Sequence, residues 1–254
     1  MKRFLLAIKN IRSTHVAETG RLYFLIRSIF TFPLIHAKKI ILSLIILYSI
    51  SADAQNTVDT AYQKVIAERS KKIINTLGIT DPVKYNKAQQ LLAGQYFQLN
   101  TIHEGSKAAI TAIKAKPLSK EEINEDVKKE EEKKSAVLMQ LHGQFVALLK
   151  ETLTKDQVEK VKDGMTYSIL PVTWTAYMDM LQKLTQEQKD KMYAWLVEAR
   201  ELAMDEGSSD AKHAVFGKYK GRINNYLSAA GYDMKKEGED WAKRIQAAKE
   251  TKQN

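Results

Sequence analysis

DPVKYNKAQQLLAGQYFQLNTIHEGSKAAITAIKAKPLSKEEINEDVKKEEEKKSAVLMQLHGQFVALLKET, residues 81–152, holds the pattern of two long helices and one sharp break between them. Asp81-Pro82 is a helix start: an aspartate N-cap, then a proline whose fixed φ and missing N–H suit the first turn. From there Ala88, Leu92, Gln95, Leu99, Ile102, Ala109 and Ile113 fall on one helical stripe that runs to about Lys116. Pro117 ends it, because proline in a helix interior loses a hydrogen bond and clashes with the preceding turn. A second stripe follows, Ile123, Val127, Val137, Leu141, Phe145 and Leu148. Steps alternating three and four mark the seam of two long helices packed antiparallel, each approaching roughly 45 Å at the usual rise per residue. The charge run Lys128–Lys134 reads as a solvated face. If Ile113 faces Ile123, His142 lies opposite Gly94 and His103 sits roughly 14 Å along the axis. The two histidines then share no metal ion and read as hydrogen-bonded structural residues.

Outward from this hairpin the pattern stays helical. Val58, Ala61, Val65, Ile66, Ile73 and Leu77 are spaced as one face of a helix over Thr57–Leu77, stopped by Gly78 as a C-terminal cap residue. Three later starts, Ser119-Lys120-Glu121-Glu122, Thr154-Lys155-Asp156-Gln157 and Thr185-Gln186-Glu187-Gln188, are capping boxes. In each, a hydroxyl accepts from the first-turn backbone and the Glu or Gln three residues on reaches back. Met165–Thr175, MTYSILPVTWT, is rich in β-branched and aromatic residues around Pro171 and is expected to form an extended connector. Helices are expected again over Gln186–Asp205, Ala211–Ala230 and Lys236–Lys249, the last anchored by Trp241 and Ile245. The fold class is therefore all-α: a multi-helix bundle with a long antiparallel helical hairpin and one extended connector, residues 55–254 forming a single helical domain.

Composition agrees, with only 4 Pro and 11 Gly among 254 residues and 44% apolar side chains, enough to bury a core. The formal charge of +10 suggests nucleic acid until it is localised. Of 40 Lys/Arg and 30 Asp/Glu, eight and two lie before residue 55, leaving 32 against 28 in the rest of the chain, too even a balance for a nucleic-acid partner. Residues 1–54 read as a leader containing a secretory signal. Lys38-Lys39 form its positive region, Ile40–Ile50 its apolar region and Ala52-Asp53-Ala54 its cleavage site. Eleven apolar residues span roughly 16 Å as helix, too short to cross a bilayer. The expectation is a periplasmic or extracellular protein, cleaved near Ala54, with no stable membrane insertion thereafter. Residues 1–36 precede the signal and read as a start assigned too far upstream. The chain has no Cys, which excludes disulfides, thiolate chemistry and lipid attachment at a lipoprotein cysteine. No cofactor motif or metal-ligand spacing is present.

Functional residue types crowd into one stretch, Glu198–Asp233. On its helix Phe216, Tyr219, Ile223, Tyr226, Leu227 and Ala230 share a core face, while Gly217, Gly221 and Ser228 make a smooth flank. Two glycines in a helix interior cost about 1 kcal/mol each, so either a neighbouring helix or a ligand is expected to approach them closely. His213, Lys218, Arg222, Asn224 and Asn225 surround these glycines, with Arg200 and Asp205 available from the preceding helix. Amides, a guanidinium fork and aromatic faces such as Tyr219 and Trp174 are what sugar hydroxyls and uronate carboxylates need. Structural pairing, for instance of Arg222 with Asp205, needs them too.

The runs PVTWTAYMDML (171–181), LTQEQKDKMYAWL (184–196), RELAMDEGSS (200–209) and KHAVFGKYKGRINNYLSAAGYD (212–233) resemble the secreted-protein family of Bacteroidetes-type bacteria known as domain of unknown function 3826. The resemblance implies sugar binding outside the cytoplasm, in plant-polysaccharide use, and supplies no site residues of its own. The first expectation is a non-catalytic carbohydrate-binding or accessory protein, its ligand extending to acidic glycans. The ligand-binding set is Trp174, Arg200, Asp205, His213, Lys218, Tyr219, Arg222, Asn224 and Asn225. A carbohydrate-active enzyme such as a uronate lyase is the second, with Arg222, Asn224 or Asn225 as neutraliser and Tyr219 or His213 as base. The third is a periplasmic chaperone, because Leu153-Thr154-x-x-Gln157 and Leu184-Thr185-x-x-Gln188 resemble the repeated motif of the Spy/CpxP-type stress chaperones.

Overall fold

A computed structural model describes residues 61–253, and among these every regular element is a helix. Helix α1 covers residues 61–75 and ends where Gly78 takes a left-handed φ of 63°. Helix α2, Pro82–Lys114, starts on Asp81, whose carboxylate accepts from the Val83 and Lys84 N–H groups. Helix α3, Lys120–Thr152, returns antiparallel to it, so the hairpin has two arms of 33 residues. Helices α4 (Lys155–Met165), α5 (Ile169–Met180), α6 (Gln186–Met204), α7 (Ser209–Ala229) and α8 (Met234–Gln253) complete the bundle. All three capping boxes form, at Ser119 with Glu122, Thr154 with Gln157 and Thr185 with Gln188.

The extended connector is not there. Residues 166–168 reverse the chain, with Tyr167 and Ser168 both left-handed at φ of 57° and 55°, and α5 begins at Ile169. Pro171 is its third residue, a first-turn position whose N–H has no partner within the helix in any case. β-branched content loses to packing: Leu170, Tyr177 and Leu181 go into the core on one face of α5.

Two clusters of buried side chains divide the work. One holds Leu92, Leu99, Phe145, Leu149, Val161 and their neighbours from α1 to α4, joined by Met204. The other holds Leu181, Met192, Leu196, Phe216, Ile223 and Leu227 from α5 to α7. Helix α8 lies over α5, where the Trp241 indole N–H donates to Asp179 at 2.6 Å and Arg244 donates to the Asp179 and Met180 carbonyls. In the hairpin, burial stops at Ser106 on α2 and resumes only at Leu141 on α3. The distal half is thus an arm, clipped near its tip by Lys116 and Asp126 at 3.2 Å. Its charges pair along the surface, as Glu125 with Lys129 and Lys128 with Glu132.

Candidate functional site

Between the two cores runs a network of charges, supplied about equally by α4 and α6 and completed by α3. Arg200, only 3% exposed, donates to Asp163 at 2.7 Å and also to Glu159, both on α4. Lys162 of α4, 7% exposed, donates to Glu201 at 2.8 Å. His142 reaches in from α3, one ring nitrogen 2.9 Å from Asp205 and the other 3.3 Å from Glu201. Glu159 and Asp163, like Glu201 and Asp205, are four residues apart on a helix, so each pair forms a single acidic stripe. Packing α4, α6 and α3 together sets those stripes against Arg200, Lys162 and His142.

These contacts fix protonation. Asp205 and Glu201 raise His142 to about 9, so its imidazole is a cation at neutral pH. Burial works to raise Glu201, but hydrogen bonds from His142 and Lys162 outweigh it and hold the carboxyl at about 2. Nearby, Lys212 of α7 is 4% exposed and donates to the carbonyls of Ala203 and Met204 at 2.9 and 3.1 Å, capping the C-terminal end of α6. Burial lowers its ammonium to about 8. The other hairpin histidine, His103, donates through Nε2 to the Asp205 carbonyl at 2.7 Å. Gly207 packs on its ring so tightly that a Cβ there would stand 2.8 Å from the His103 Cγ. Both hairpin histidines are hydrogen-bonding or ion-pairing residues of the structure, and they meet at Asp205.

Above Glu201, His142 and Asp205 opens a cleft of about 620 Å³, between α3, α6 and α7, within the usual range for a small-molecule site. Lys218 and Tyr219 line its α7 wall, Leu138 and Met139 its α3 wall. Of the residues expected to bind ligand, Asp205, Lys218 and Tyr219 therefore come together. Arg200 sits beneath the floor, its charge spent on Glu159, Asp163 and Glu201. Arg222 pairs with Glu198 at 3.7 Å, not with Asp205, and its guanidinium lies 4.4 Å from the centre of the Trp195 ring. Asn224 accepts a hydrogen bond from the Tyr177 hydroxyl at 2.8 Å. His213 donates to the Ser209 carbonyl and packs on Tyr167, Trp174 packs edge-on against Tyr193, and Asn225 is exposed away from the cleft.

Of the two reasons expected for the glycine flank, close approach by a helix is not the one found among the described residues. A Cβ at Gly217 or Gly221 would meet nothing within 4 Å, so no helix among the described residues packs closely against them. On a 3.6-residue helix their side lies opposite Phe216 and Ile223 and faces solvent as a convex surface, whereas the cleft uses the adjoining side with Lys218 and Tyr219.

This helix order and these α6–α7 residues lie within the match to a family model described as "Protein of unknown function (DUF3826)", over residues 63–247. The chain belongs to the DUF3826 family. The matched segment runs from α1 into α8 and so includes both cores, the charge network and the cleft. No curated protein matches the chain.

Sequence reasoning did not select Glu201, Lys162, Glu159 or Asp163. The legible signal was the pair of carboxylate steps of four, Glu159/Asp163 and Glu201/Asp205, each stripe needing a cation in a helical protein with this much core.

Proposed function

We propose that the protein is a non-catalytic carbohydrate-binding or accessory protein that works outside the cytoplasm after removal of a signal peptide near Ala54. The observation that carries the reading is the cleft over Glu201, His142 and Asp205. Its carboxylates accept from sugar hydroxyls, Lys218 donates, and Tyr219 on one wall and Leu138 on the other offer apolar surface for a ring face. Binding is favoured over turnover by the same electrostatics. A general base must have a pKa near the operating pH, yet His142 is held protonated and Glu201 is held far below that range. Burial moves the Tyr219 phenol further up. The groups a uronate lyase would need are also apart, Arg222 and Asn224 being engaged with Glu198 and Tyr177.

The test is a glycan array and thermal-shift screen against plant polysaccharides, with reducing-end and unsaturated-product assays alongside. Stabilisation without product, lost in Lys218→Met and Tyr219→Ala at unchanged melting temperature, supports the binder. New chain ends support the enzyme. Sequencing the N-terminus of the fractionated protein tests export.

One observation favours a chaperone as the second reading. The distal arm of the hairpin exposes Val137 at 42% and Met139 at 73%, apolar surface that an unfolded client could touch. Suppression of client aggregation, abolished by Val137→Glu and indifferent to sugar, would move the assignment there.

A further inference from the structure

A second cleft, of about 550 Å³, lies where α1 meets the end of α4. Lys64, Glu68 and Lys72 are four residues apart on α1 and form one stripe of it, with Arg69 on the stripe beside them. Three cations thus face one carboxylate, and among the described residues none of the three is paired with an acid. Below them the cleft is apolar, floored by Ile73 and Met165. The Arg69 guanidinium stands 5.5 Å from the centre of the Tyr96 ring, which is almost fully buried, so the aromatic face orients the arginine. The floor is fixed as well: a Cβ on Gly164 would come within 2.8 Å of Ile73 Cγ2, the close approach that seats α1 on α4.

The rim is Tyr167. Its φ of 57° is a left-handed conformation that a large aromatic residue rarely adopts, and the residue remains 46% exposed. Backbone strain that presents an aromatic face to solvent needs a compensating use. The ring packs at 5.6 Å against His213 of α7, which orients it at the mouth of the cleft.

We infer that this cleft binds an anionic saccharide unit, the ring face stacked on Tyr167 and the carboxylate or sulfate on Arg69, with Lys64 and Lys72 supplying the surrounding field. The cleft over Glu201 and Asp205 is unsuited to such a unit, because the Glu201 carboxylate on its floor is held ionised. The inference rests on the carbohydrate reading for its ligand class and not on the position of the first site.

Titration of the purified protein with tri-galacturonate and its fully methyl-esterified counterpart tests it. The acid binds, the ester binds roughly tenfold or more weakly, and affinity falls between about 0.1 and about 0.5 M salt. Tyr167→Gly and Arg69→Met each weaken the acid roughly tenfold, and Lys218→Met does not. Glycine accepts the left-handed φ without strain, so Tyr167→Gly keeps or raises the melting temperature, an outcome that a packing role for the tyrosine would not give. Equal binding of acid and ester, full affinity in both variants, or sensitivity to Lys218→Met alone overturns the inference. Neutral sugars binding at the first cleft while tri-galacturonate fails overturns the inference and leaves the proposed function standing. Failure of every saccharide removes both.

Discussion

Replacing His142 by Gln should destabilise the protein in a strongly pH-dependent way. In the fold His142 faces Glu201 and Asp205 of α6, with Arg200 and Lys162 behind Glu201. Its pKa rises from 6.5 to about 9, and a raised folded pKa means that the folded state binds the proton more tightly than the unfolded chain. The stabilisation is therefore fully present below the unfolded value and disappears as pH climbs through about 9. At about 1.36 kcal/mol per pKa unit the shift corresponds to roughly 3 kcal/mol, which solvent screening of a half-buried ring reduces to about 2 kcal/mol. Urea unfolding of wild type and His142→Gln at about pH 6 and about pH 9.5 reads the difference. The variant should be about 2 kcal/mol less stable at the lower pH and within roughly 0.5 kcal/mol of wild type at the higher one. Lys212 has the opposite sign, since its lowered pKa makes the fold more stable as pH rises from about 8. It is present in both proteins and cancels in the comparison. A stability gap of the same size at both pH values would refute the imidazolium and leave His142 as packing alone.

Arg200→Met should cost about 3 kcal/mol in urea unfolding, because Glu159 and Asp163 lose the buried cation that neutralises them; a neutral effect would mean the network adds nothing to stability. Gly217→Ala and Gly221→Ala should each stabilise by about 0.5–1 kcal/mol, read as a higher melting temperature, since the added methyl meets open space and the helix gains propensity. A loss at either position would show that something packs there. Gly164→Ala should instead destabilise by roughly 1–3 kcal/mol, as its methyl drives into Ile73, and an unchanged urea midpoint would contradict that close approach of α1.

Much of the architecture was readable from the chain alone. Asp81-Pro82, Pro117 and the three hydroxyl-x-x-Glu/Gln starts fix where helices begin and stop, because caps act over three or four residues and depend on nothing distant. The stripes on either side of Pro117 determine the antiparallel hairpin for the same reason. Met165–Thr175 misled because β-branched propensity is weak beside the burial of Leu170, Tyr177 and Leu181, which only the assembled core offers. The site was decided almost wholly by tertiary structure. Periodicity says that Glu201 and Asp205 share a face, but not that His142, some sixty residues earlier, meets them. Nor does it say that Arg200 turns inward to Glu159 and Asp163 while Lys218 and Tyr219 turn to the cleft. Those meetings depend on where helices cross, and crossing is set by the packing of two whole cores, in which a shift of one residue along a helix turns each side chain by about 100°.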